Sequence, residues 1–100
     1  MDIVEKIIEY KERLERIKND KSSNSLKIEK GIISKVLVMA NIAEMCIYSN
    51  TIVPDADRNY FEGRVSVGRY FGDWGLDWVI DYYIEITDFI KHNHWNTAST

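Results

Sequence analysis

Apolar residues recur along the first eighteen positions at Ile3, Ile7, Tyr10, Leu14 and Ile17, spaced by four, three, four and three. That spacing predicts an amphipathic helix over 3–18, with Val4 and Ile8 widening its core-facing stripe. The remaining faces hold Glu5, Glu9, Lys11, Glu12, Glu15 and Arg16, a mixed-sign surface that reads as solvated. Turn-forming residues follow at 21–25, so the chain reverses there. A second helix is expected from Ser25 to about Ser49. Its apolar residues Ile28, Ile32, Val36, Met39, Ala43 and Met45 to Ile47 occupy more than one face, as suits the central helix of a bundle. Gly31 weakens its start, because Gly costs about 1 kcal/mol relative to Ala in a helix.

Pro54, the single proline, places a loop over 50–57. The next stretch, Tyr60 to Phe71, carries both periods: Phe61, Gly63, Val65, Val67, Arg69 and Phe71 alternate as in a strand, while Val67, Tyr70, Phe71 and Trp74 follow helical spacing. A short helix or irregular segment is favoured, since a lone hairpin would have no sheet to join. The last helix is predicted over 76–91 from Leu76, Val79, Tyr83, Ile86 and Ile90, with Ile80 alongside. Residues 92–100 are polar and expected to fray. These elements define an all-α fold: a single domain over 1–100, built as a small antiparallel bundle of three long helices, with or without a short fourth.

Charge changes this picture most in the C-terminal part. Asp73, Asp77, Asp81 and Glu85 recur every four residues and Asp88 follows three later, so on one helix all five carboxylates form a stripe. No Lys or Arg lies between Asp73 and Asp88. Like charges at this spacing cost a few tenths of a kcal/mol per pair. A basic partner or the Lys and Arg of the N-terminal half would relieve that cost. Residues 1–35 carry nine Lys/Arg against seven Asp/Glu, and residues 36–100 carry four against nine, which gives +2 and −5 and sums to the net charge of −3. This balance argues against direct nucleic-acid binding, which needs a basic face. It favours a basic protein partner.

Catalytic and metal chemistry find little support. Phosphate loops, dinucleotide fingerprints, zinc spacings and nucleophile elbows are absent, and neither an enzyme nor a cofactor is expected. His92 and His94 project to different sides of a helix and lack a third ligand, so no metal is expected there. Asp55, Asp57 and Glu62 bracket Arg58 without the spacing of a calcium loop, and capping of a short helix plus a local ion pair explains them better. Cys46 is the single cysteine and sits in an apolar run, as an inert core thiol would. Without a disulfide framework, signal peptide or uninterrupted membrane-length apolar run, a cytoplasmic location is expected. For Tyr70, Trp74, Trp78 and Tyr82 two roles stay open, because aromatics beside carboxylates serve as interface anchors and also complete small cores.

The segment Val53-Pro54-Asp55-Ala56-Asp57-Arg58-Asn59-Tyr60, preceded by the apolar helix Ile32 to Tyr48, resembles the colicin immunity domains of the colicin D type. These are small acidic helical bundles with a Pro-Asp-Ala-Asp-Arg stretch shortly before the last helix. The chain departs from them in its longer first helix and in the Gly-rich stretch from Gly63 to Gly75. The resemblance implies an inhibitor that blocks the active site of a basic tRNA-cleaving toxin nuclease with acidic residues. The partner-binding set expected is Asp73, Asp77, Trp78, Asp81, Tyr82, Glu85 and Asp88, joined by Asp55 and Asp57. Two alternatives share the acidic surface: a phage or viral nucleic-acid mimic acting on a host defence protein, and a structural helical module that forms a homodimer.

Overall fold

A computed structural model describes residues 2–20 and 29–95. Within them lie four α-helices, α1 (Ile3–Asn19), α2 (Lys30–Ser49), α3 (Arg64–Asp73) and α4 (Asp77–Asn93), with a 3-10 helix over Asp55–Phe61 between α2 and α3. No described residue is in a strand, so the stretch from Tyr60 to Phe71 takes the helical reading. The all-α bundle expected from the sequence is what forms.

α1 begins where Asp2 accepts a hydrogen bond from the Glu5 amide at 2.8 Å, an N-cap that also holds the Asp2 carboxyl below its usual range. Ile7, Tyr10 and Leu14 point inward as their spacing predicts. Ile8 does not; it is partly exposed. Glu29 is extended and α2 starts at Lys30, later than expected, while Ser25 itself lies outside the described residues. At the other end of α2, Asn50 adopts the left-handed conformation at φ 53°. The Thr51 amide then donates to the Cys46 carbonyl at 3.0 Å, closing the helix as Gly ordinarily does.

α1 packs mainly on α2 and α3 mainly on α4, and contacts of α4 with both α1 and α2 join the two pairs. Ile33, Val36, Met39, Ala40, Ala43 and Cys46 of α2 meet Val79, Tyr83, Ile86 and Ile90 of α4 in one core cluster with Val53, Phe61, Val67 and Phe71. α2 is, among the described residues, the helix long and apolar enough to cross a membrane by length and composition. The Val36 to Tyr48 stretch taken alone is too short for that. Its inner face is covered by the other helices. Met45, expected inside, is 70% exposed, because only part of α2's apolar circumference is needed for the core.

The expectation that residues 92–100 fray fails for their first part. α4 continues through Asn93, and His94 is buried. The His94 ring nitrogen Nδ1 donates to the Thr51 carbonyl at 2.8 Å, and the His94 carbonyl accepts from the Val53 amide at 2.8 Å. Trp95 then meets Phe61 edge-on at 5.9 Å, with the Arg58 guanidinium 4.7 Å from its ring centre. A polar composition hid an aromatic and a histidine that fasten the end of α4 to the loop after α2. Residues 96–100 lie outside the described part.

Candidate functional site: the two sides of α4

The stripe read from the sequence divides at a turn. Asp73 is the last residue of α3, and Asp77 is the first of α4. Between them Gly75 takes φ 71°, its amide donates to Gly72, and the Leu76 amide donates to the Phe71 carbonyl at 2.8 Å. This is a Schellman ending, which requires a residue tolerant of positive φ. Asp73 therefore faces the negative end of a helix dipole, whereas Asp77 lies at a positive end, where a carboxylate is stabilised by about 0.3–1 kcal/mol. The four-residue spacing across this turn is coincidental. Asp73 does not belong to the same helical row.

Asp77, Asp81, Glu85 and Asp88 do share the outer face of α4, and all four are exposed. Glu85 is neutralised internally, since Lys6 of α1 reaches its carboxylate. For Asp77, Asp81 and Asp88 no ion pair is found among the described residues. The N-terminal cations thus cover one edge of the stripe and leave the rest open.

The aromatic members of the expected site have a different role. Trp78 and Tyr82 lie on the flank of α4 that meets α1, and three residues of α1 oppose three of α4 in antiparallel order. Lys6 meets Glu85, the Tyr82 hydroxyl donates to the Glu9 carboxylate, and the Arg13 guanidinium lies over Trp78. Tyr10 inserts into this row. It stacks on Tyr82 at 5.5 Å, meets Trp78 edge-on at 6.0 Å and donates from its hydroxyl to the Val79 carbonyl at 2.9 Å. Bonding to Glu9 raises the Tyr82 hydroxyl above its ordinary pKa, and burial raises that of Tyr10 further. Trp78 and Tyr82 are accordingly half-buried cement between helices. Glu9 and Lys11, read as solvated, are engaged too, Lys11 with Glu44 and Asn41 of α2.

Asp55 and Asp57 open the 3-10 helix, but neither side chain caps it; Pro54 occupies the N-cap position and no side-chain cap bond forms. The Asp55 carboxylate is 95% exposed and lies 3.4 Å from Arg58 Nε. That local ion pair was expected. Asp57 is half-buried. Cys46 is buried with its thiol pushed up by burial, as an unreactive core cysteine would be. Among the described residues, no group of three or more His, Cys, Asp or Glu is placed to hold a metal ion.

No protein family, curated protein or solved structure matches this chain. What the geometry presents for function is a helix with exposed carboxylates on its outer face and an aromatic seam along the adjacent flank, where it meets α1. Lys6 and Arg13, which engage Glu85 and Trp78, are not among the site residues expected from the sequence. For Lys6 the available signal was its place on the same side of α1 as Glu9 and Arg13.

Proposed function

We propose that the protein binds and neutralises a basic bacterial toxin nuclease in the cytoplasm, as the colicin-type resemblance at 53–60 implies, and that it is an inhibitor and not an enzyme. The observation carrying this reading is the exposed carboxylate row Asp77, Asp81 and Asp88 on the outer face of α4, which forms no ion pair among the described residues. A nuclease needs a cationic groove for phosphates, and carboxylates held on a helix at intervals of about 6 Å per four residues can enter such a groove. A helix already packed in place favours this use, because its backbone has less freedom left to lose on binding. The aromatic seam holds it there by fastening α4 to α1. The site is narrower than the sequence suggests: Asp77, Asp81 and Asp88 form the contact, with Glu85 at its edge and Asp55 on a separate exposed turn.

The test is co-expression with toxin-like reading frames adjacent to the gene, followed by affinity measurement with a purified partner. Asp77→Lys combined with Asp81→Lys is expected to weaken binding by about 2 kcal/mol or more, the scale for a buried interfacial charge pair. Unchanged affinity with an intact helical circular dichroism spectrum would remove α4 from the interface.

A further inference from the structure

α2 and α3 both rest on α4, but they do not pack closely on each other. A cleft of about 420 Å³ stays open between them, within the roughly 300–1,000 Å³ of small-molecule sites. The buried Val36 and Val67 and the half-buried Ile32 give it apolar surface, and Tyr60 and Tyr70 line its sides. A buried side chain fixes its shape: the Tyr83 hydroxyl accepts from the Gly63 amide at 2.9 Å and donates to the Tyr60 carbonyl at 2.7 Å. Glycine suits position 63, because a Cβ there would crowd that hydroxyl at 3.2 Å.

The cleft is positive on a protein whose net charge is −3. Lys35 is the one charged residue among its described lining, and it forms no ion pair with a described carboxylate. Arg64, next to Gly63 in the chain, is likewise in no ion pair among the described residues. The end of α3 at the cleft is also its positive end, with no side-chain cap and no acid in the first turn. The wider groove between α1 and α2 differs, because both signs line it and Glu44 already holds Lys11.

We propose that this cleft binds a small aromatic carboxylate, with its ring against the tyrosines and the apolar floor and its carboxylate on Lys35. A flat ring covers aromatic and aliphatic surface together. One negative charge matches one lysine, and the Ser66 hydroxyl on the same lining is a further donor. A phosphate ester is the poorer occupant, since its higher charge would meet a single ammonium and no guanidinium fork lines the cleft. None of the exposed carboxylates of α4 takes part, so the proposal does not depend on the inhibitor reading.

Nitrogen–proton correlation NMR of the full chain, titrated with 3-phenylpropionate, tests this directly. Saturable shifts are expected at the amides of Lys35, Val36, Gly63, Ser66 and Val67, with a dissociation constant of about 1 mM for a ligand of this size. The neutral 3-phenylpropanamide should bind about threefold more weakly, the scale of a solvent-accessible ion pair. Lys35→Met should weaken the carboxylate by a similar factor and abolish the preference for it over the amide. Ser66→Trp, at an exposed position on the lining, should block both ligands, and its own spectrum reports whether the fold is retained. No saturable shift at these amides up to the solubility of the probe would overturn the proposal. So would equal affinity for acid and amide, a preference for the acid that survives Lys35→Met, or binding indifferent to a folded Ser66→Trp.

Discussion

The Arg13 guanidinium lies 3.7 Å from the centre of the Trp78 ring, which joins a cation of the first helix to an aromatic of the last. A tryptophan next to an acidic row is thereby held within the protein. Its partner is intramolecular.

Removing that cation should be felt in stability. Arg13→Ala is expected to lower the unfolding free energy by about 0.5–2 kcal/mol, the range for a partly desolvated cation–π contact. Arg13→Lys should cost less than Ala, while losing the planar overlap of the guanidinium. Urea denaturation of the three proteins checks the order.

Core truncations should separate by residue. Ile7 and Ile86 are fully buried and Val36 nearly so. Ile7→Ala and Ile86→Ala are each expected to cost about 2–5 kcal/mol through lost burial and the cavity left behind. Val36→Ala removes less volume and should cost less. Denaturant melts showing losses below about 0.5 kcal/mol, the range of ordinary surface substitutions, would contradict the assigned faces.

Alkaline stability follows from Tyr10. Its hydroxyl ionises near 10.0 in the unfolded chain but well above that in the fold, where burial disfavours the charge. Between those values the native state keeps a proton that the unfolded state has lost, so stability falls as pH rises. The contribution is complete below pH 10.0 and is lost as pH climbs towards the folded value. Tyr10→Phe should cost about 0.5–1.5 kcal/mol at neutral pH by removing the bond to Val79. Its deficit relative to the natural protein should shrink above pH 10.0. Melts at neutral and alkaline pH compare the two slopes.

The Pro-Asp-Ala-Asp-Arg turn makes a separate prediction. Since neither Asp55 nor Asp57 caps the 3-10 helix with its side chain, replacing both with Asn should leave the fold unchanged. If Asp55 steers a cationic partner, association of the double variant slows, most at low salt where screening is weakest. Rates equal to those of the natural protein at two ionic strengths would confine this turn to a structural role.

Periodicity alone located α1 and α4 closely, because each buries one regular stripe and each stripe is bounded by charge. It also favoured a helix near 60–71 without fixing whether the 3-10 and α3 segments were one element or two. The acidic row was legible as residues and misread as geometry. Equal sequence spacing across Gly75 resembles helical spacing, and only the left-handed turn reveals that Asp73 belongs to another helix. Trp78 and Tyr82 were ambiguous because local sequence does not tell which neighbour reaches them. Their partners Glu9 and Arg13 lie more than 60 positions away. His94 and Trp95 were missed because a short polar context outweighs two anchoring side chains in any window average.

Those two residues give the C-terminal half a closed outline. Thr51 and Val53 are bound to His94, so the chain that leaves α2 returns to its starting point after the 3-10 helix, α3 and α4. A segment pinned at both ends can open only by releasing the clasp, so its exchange with solvent deuterium should be cooperative. The Val53 amide and the last-turn amides of α4 would then exchange together, and removing the chain from His94 onward would turn one unit into two loose ends.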